Sequence, residues 1–301
     1  MSQNGSVKSI LYALAANGAI AVAKFVAAFI TSSGSMLAEA IHSTADCANQ
    51  VLLLWGLKVS KRPPSGDFPL GEGKQIYFWS FIVAVMLFSV GGLFSIYEGV
   101  HKLSATEPLT SPMIAVGVLV FGIIVEALSL FGCMKEIQKS LRGRGYWQWF
   151  RESRQSELVV IFGEDIAAVF GLIFALVAVV LTWLTANPVF DALGSITIGI
   201  LLIVVAVLIG RQVMDLMIGR GVEPYLRKEI IAFIESQDGV VKVFNLVTLQ
   251  LGSDIMLAAK VKMDYSESSQ QVVVNINNCE VALRAKYDQI LWSFFEPDLV
   301  D

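Results

Sequence analysis

Ser33-Gly34-Ser35-Met36-Leu37-Ala38-Glu39-Ala40-Ile41-His42-Ser43-Thr44-Ala45-Asp46-Cys47-Ala48-Asn49-Gln50-Val51-Leu52-Leu53-Leu54-Trp55-Gly56-Leu57 is long and apolar enough to cross a bilayer, yet it carries Glu39, His42, Asp46 and Asn49. At 100° per residue these four side chains fall within an arc of about 80° on one helix face. A charge at the bilayer centre costs at least ~2.5 kcal/mol, so ionisable groups there point to function. His42 and Asp46 are one turn apart. An imidazole nitrogen and a carboxylate oxygen so placed supply half of a tetrahedral site for zinc or a similar divalent ion. The alternative is a polar stripe that holds another helix by hydrogen bonds.

The rest of the chain fits that reading. Of 301 residues, 55% are hydrophobic and 16% charged, the balance of a polytopic membrane protein. A net charge of −4 argues against nucleic acid as a partner. Cys47, Cys133 and Cys279 are far apart and form no CxxC pair, so neither a disulfide framework nor a cysteine zinc site is expected. Apolar stretches at 9–31, 34–57, 76–98, 112–134, 158–183 and 189–210 give six expected membrane spans. The first is read as a retained helix rather than a signal peptide. Lys58, Lys61, Arg62 and Lys74 follow span two; Lys135, Lys139, Arg142, Arg144, Arg151 and Arg154 follow span four; Arg211 and Arg220 follow span six. The opposite loops carry only Lys102, which places both termini in the cytoplasm. Pro63-Pro64-Ser65-Gly66 ends the helix leaving span two. Trp147 and Trp149, with Arg151 and Arg154, suggest an amphipathic interfacial segment or a plain basic loop.

Composition shifts after Gly221, dividing the chain into a six-helix transmembrane domain, 1–215, and a cytoplasmic domain, 216–301. The tail reads as helix 223–237, strands 240–251 and 254–263 around a Gly252-Ser253 turn, helix 266–286 and strand 289–295. This α-β-β-α-β order suits a small α+β, ferredoxin-like domain.

Lys24, Glu126, Glu164, Asp165 and Asp191 also lie within spans. Adjacent Glu164 and Asp165 have no inexpensive structural purpose there, although they point about 100° apart. Asp191 follows Asn187-Pro188, where helix capping is the favoured role. Lys24 reads as a counterion for a carboxylate such as Glu39, or as snorkelling to the surface. Glu126 either lines a cavity or faces a neighbouring helix, and Asn17 suits an interhelical hydrogen bond.

The motif from Gly34 to Asp46, Gly71-Glu72-Gly73-Lys74 before span three and Asp191-Ala192-Leu193-Gly194-Ser195 opening span six together resemble the cation diffusion facilitator family. The resemblance covers nearly the whole chain, to Phe295-Glu296-Pro297-Asp298. Phe78-Trp79-Ser80-Phe81 and Gly91-Gly92-Leu93-Phe94-Ser95-Ile96-Tyr97-Glu98-Gly99, with Glu164-Asp165, resemble the branch of the mitochondrial-type zinc transporter. It implies a divalent-cation efflux transporter exchanging metal for protons, a homodimer in a lipid bilayer, with no prosthetic group and no enzymatic activity. In a bacterium the membrane would be the inner one.

The family's ligand pairs in spans two and five correspond to His42 with Asp46 and to Ile161 with Asp165. Isoleucine cannot bind metal, so Glu164, Glu39, Asn49 or water is left to complete the shell. An oxygen-rich shell admits manganese or iron(II) beside zinc. The family's loop site retains only Asp67 and Glu72, and the tail lacks the family's histidines, so both accessory sites are expected to be lost. The family's interprotomer lysine corresponds to Lys74, and its aspartate partner falls at Gly219, with Asp215 one turn away. Two other readings stay open: an intramembrane metalloenzyme, disfavoured because no HExxH motif is present, and a transport-dead scaffold or metal sensor of the same fold.

Overall fold

The computed structural model describes residues 3–31, 34–103, 112–264 and 268–300, with backbone alone over 34–42 and at a few positions of the first helix. The chain forms two compact units.

The first unit is helical. Its long helices are α1 (Gln3–Thr31), α2 (Gly34–Val59), α3 (Gln75–Met86) continuing through a π-helical segment, Leu87–Leu93, into α4 (Phe94–Lys102), α5 (Pro112–Leu141), α7 (Ser156–Thr185) and α8 (Val189–Ile218). Among the described residues four of these, Gln75–Lys102, Pro112–Leu141, Ser156–Thr185 and Val189–Ile218, are long and apolar enough to cross a membrane. In α1 the apolar stretch is the shorter Ile10–Val26. α5 packs against both α1 and α7. Several helices outrun the apolar stretches: α5 continues from 134 to Leu141 and α8 from 210 to Ile218. Hydropathy marks the part that suits lipid, whereas backbone hydrogen bonding continues through the polar turns beyond it.

Small residues set the closest helix approach. A Cβ on Gly92 would lie 2.5 Å from Ile203 and 3.2 Å from the Gly199 carbonyl, and one on Gly199 would lie 2.7 Å from the Gly92 carbonyl. The π segment and α8 therefore meet backbone to backbone, as small residues allow in apolar bundles. The short helix α6 (Tyr146–Glu152) is amphipathic in a way the sequence left open. Trp147 is exposed, but Trp149 is buried, its Nε1–H donating to Ser140 Oγ at 2.9 Å. Its ring meets Phe162 edge-on at 5.9 Å. Trp149 is thus a packing residue rather than an interfacial anchor.

The second unit comprises 59–75, 152–155 and 215–301. Its tail runs α9 (Pro224–Glu235), β1 (Val240–Leu251), β2 (Asp254–Met263), α10 (Ser269–Lys286) and β3 (Ile290–Pro297). The strands lie in that order, β1 antiparallel to β2 and β3 parallel to it. Every second residue of β2 is buried, from Ile255 through Leu257, Ala259 and Val261 to Met263, packing on Ile230, Ile234, Cys279 and Leu283. Ser268 caps α10, accepting the Gln271 backbone N–H at 3.2 Å. Lys260 and Asp298 pair at 2.7 Å, which holds the Asp298 carboxyl below its usual range. That small contribution is present above the ordinary aspartate pKa and is lost as pH falls through the lowered one.

The loop after α2 is bound into this unit. Arg62 and Glu72 pair at 3.5 Å, and Lys74 Nζ donates to the Met217 carbonyl at 3.3 Å. Asp215 lies 4.0 Å from Arg220. Gly73 sits against the hairpin turn: its Cβ would fall 2.1 Å from the Leu251 carbonyl oxygen. Gly252, at φ 67°, closes the turn with its own missing Cβ 2.5 Å from the Gly73 oxygen.

Gly73→Ala should therefore destabilise this unit by ~1–3 kcal/mol, whereas Gly66→Ala, which meets nothing within 4 Å, should be neutral. Thermal melting of the two variants tests this, and equal melting points would refute the backbone contact. Cys279 is buried, which pushes its thiol up to about 11. In a variant carrying Cys47→Ser and Cys133→Ser, maleimide at pH 8 should leave the native protein unlabelled and react only after denaturation.

Candidate metal site

α2 carries Glu39, His42, Asp46 and Asn49 down one face of a continuous helix. The side chains of Glu39 and His42 lie outside the described residues. Asp46 is half-buried and borders two cavities. The larger, about 200 Å³, is lined among others by Lys24 of α1, Ser43 and Asp46 of α2 and Glu126 of α5. Glu98, Lys102 and Asp191 line it at its more exposed end, where Lys102 Nζ lies 3.3 Å from both carboxylates. The smaller, about 10 Å³, is walled by Asp46, Asn49 and the turn Met86, Leu87, Val90 and Gly91. That is room for a single water-sized group. Its wall includes the π-helical segment, a distortion often found at functional sites.

The span-five carboxylates are held by amides and a hydroxyl. Glu164 accepts Asn49 Nδ2–H at 2.8 Å on one oxygen and Gln50 Nε2–H at 3.1 Å on the other. Asn17 Nδ2–H donates in turn to Gln50 Oε1 at 3.2 Å. Asp165 accepts Ser129 Oγ–H at 3.2 Å. All six side chains are buried. Asn49 turns its NH2 toward Glu164, so its carbonyl oxygen faces away. That oxygen, Asn49 Oδ1, is buried and has no hydrogen-bond partner among the described residues. Ile161, one turn before Asp165, is fully buried. Asp46 is within electrostatic range of both Glu164 and Glu126. Among the described residues no three His, Cys, Asp or Glu side chains converge as a metal-ligand set.

Other expectations are refined. Asn17 makes the interhelical hydrogen bond its type suggests. Lys24 does not snorkel: it is buried and donates to Ser43 Oγ at 2.9 Å. Asp191 is not the cap of α8. Asn187 Oδ1 takes the Val189 N–H at 3.1 Å, while Asp191 pairs with Lys102 across the helices. Glu126 lines the large cavity. In the loop, Glu72 is engaged by Arg62 and Gln75. Gln50 and Ser129 escaped the sequence reading, although each is a hydrogen-bonding residue beside a singled-out one: Gln50 follows Asn49, and Ser129 lies three residues after Glu126.

Comparison with known proteins matches this arrangement to one family. The profile of the cation efflux transmembrane domain matches residues 10–218. The chain is 33% identical over 267 residues to the mitochondrial proton-coupled zinc antiporter of Xenopus laevis, covering 88% of this chain and 48% of that protein. It is 32% identical to its Homo sapiens counterpart, covering 86% of this chain and 46% of that protein. With metal tolerance protein C4 of Arabidopsis thaliana it shares 29% identity, covering 90% of this chain and 59% of that one. The chain thus spans about half the length of these antiporters. Its helical unit and the extent of the match make the chain a member of the cation efflux family, the cation diffusion facilitators.

Proposed function

We propose that the chain is a divalent-cation efflux transporter that exchanges metal for protons. The carrying observation is the buried, unpartnered carbonyl of Asn49 beside Asp46, at a cavity inside an apolar helix bundle. A carbonyl oxygen next to a carboxylate offers two hard oxygen donors of the type divalent cations take. Family membership and the proton-coupled zinc antiporters among its relatives support the same reading.

Transport proceeds through Asp46, His42 and Asp165 as ligands, with Asn49 Oδ1, Glu164 or Glu39 replacing the ligand that Ile161 cannot supply. Glu164 is the less available, since both its oxygens already accept amide hydrogen bonds. Zinc is the first cargo, on the relatives' names. A shell of oxygens with one imidazole also admits manganese and iron(II). Deprotonated ligands bind the ion, and their reprotonation releases it, which couples metal to protons.

The architecture that goes with this function has six spans, with α1 and α2 completing the four more apolar ones. Residues 1–215 form the transmembrane domain and 216–301 a ferredoxin-like cytoplasmic domain. Both termini are cytoplasmic in a bacterial inner membrane or its equivalent. The protein works as a homodimer joined through the tails and the region of Lys74.

Purified protein in sealed vesicles should take up zinc under an imposed pH gradient and lose uptake when a protonophore collapses it. Asp46→Ala and Asp165→Ala should bring flux to background with the fold intact. Absence of gradient-driven flux for zinc, manganese and iron(II) in the wild type would leave a scaffold or sensor instead. Asn49→Leu, which removes the lone carbonyl, should weaken zinc binding by roughly 10–100-fold. Deleting 216–301 should shift the protein from dimer to monomer by light scattering, and a dimeric, fully active truncation would refute the tail's role.

A further inference from the structure

The large cavity has a net negative lining. Among its lining residues Asp46, Glu98, Glu126 and Asp191 are acidic and Lys24 and Lys102 basic, which leaves a net charge of −2 when all are ionised. Lys102 bridges Glu98 and Asp191 at the exposed end and leaves one negative charge there; Asp46, Glu126 and Lys24 deeper in leave the other. Glu126 differs from the other buried carboxylates of the bundle. Glu164 has two amide donors and Asp165 a hydroxyl. Glu126 is only 5% exposed, lines the cavity, and accepts no hydrogen bond and makes no ion pair among the described residues. The charges it feels are Asp46, of like sign, and Lys24, of opposite sign. A buried carboxylate without a donor is expensive, and a like-charged neighbour makes it more so. Lys24 relieves this in part, but its ammonium is also committed to Ser43.

We propose that Glu126 is a cation-coordinating residue, forming with Asp46 a two-carboxylate station for a hydrated divalent cation in the large cavity. This rests on the transport reading above and adds a ligand from span four to it. The cavity volume leaves room for several waters around an ion. Two carboxylates and water give an all-oxygen, incomplete protein shell. Such a station binds weakly and exchanges fast, as a step on a pathway requires. Its carboxylate and water oxygens accept zinc, manganese and magnesium alike.

The test combines equilibrium titration of zinc and manganese on purified protein with flux into sealed vesicles, for the wild type, Glu126→Gln and Glu126→Asp. Glu126→Gln should weaken binding of both ions at least tenfold and lower flux, with its metal-free melting temperature unchanged or raised. Glu126→Asp, which keeps the charge one methylene further back, should recover part of the binding. Wild-type affinity in Glu126→Gln overturns the proposal. So does a lowered metal-free melting temperature with Glu126→Asp no better than Glu126→Gln, because that pattern marks a structural role. If Glu126→Gln does not fold, Glu126→Asp decides: weakened affinity at unchanged stoichiometry supports the station, and unchanged affinity overturns it. Binding that depends on Glu126 without flux in the wild type removes the transport reading and keeps the station. Flux with Glu126-independent binding does the reverse.

Discussion

The helical unit is organised around one buried carboxylate. Glu164 on α7 takes both of its donors from consecutive residues of α2, Asn49 and Gln50, and Gln50 is held in turn by Asn17 of α1. Three helices are thereby fixed in register by hydrogen bonds in surroundings where water is not at hand to replace them. Removing one partner leaves a buried polar group unpaired, at a cost of about 1–3 kcal/mol or more for a charged one. Apolar side chains alone specify no such register, because lipid-facing and helix-facing surfaces are equally oily. The clamp also sets polarity. By taking the NH2 of Asn49, Glu164 turns that residue's carbonyl away, and a donor to a cation is what remains.

Asp46 gains its importance from where this clamp puts it. One turn before Gln50 on the same helix, it stands between a small cavity against the π-helical segment and a larger one that reaches Glu98, Lys102 and Asp191. The π segment and the tight Gly92–Gly199 contact belong together. A helix whose backbone touches its neighbour cannot fill the space beside it with side chains, and the widened turn adds to the room next to Asp46. Gly91, the residue before Gly92, lines the smaller cavity.

Much of this was legible in the sequence, and the failures have physical causes. The polar face of α2 follows from helical periodicity alone, and the α-β-β-α-β order of the tail from alternation and turn residues. The partners of the charges did not follow. Asp191 looked like a cap because local spacing sees only its own turn, whereas its ion pair is with Lys102 on another helix. Trp149 looked interfacial because composition cannot distinguish a tryptophan facing lipid from one donating to Ser140. For Glu126 the sequence left two roles open, lining a cavity or facing a neighbouring helix, because a cavity belongs to several helices at once; it lines the cavity. The π-helical turn had only its glycine pair as a signal, and glycine pairs also serve close packing.

The second unit extends the same principle of missing side chains. Gly73 and Gly252 meet so closely that neither tolerates a Cβ, and Lys74 and Arg154 add hydrogen bonds to the carbonyls of Met217 and of Gly221 and Val222. The segments so gathered are 59–75, 152–155 and the stretch from Asp215 onward. They are covalently continuous with the ends of α2, α3, α7 and α8. Backbone-to-backbone contact has no rotamers to absorb a displacement. A shift of the hairpin turn between β1 and β2 must therefore either move the loop that joins α2 to α3 or break from it. The tail is thus a rigid clasp on three chain connections, and its stiffness comes from the absence of side chains at the point of contact.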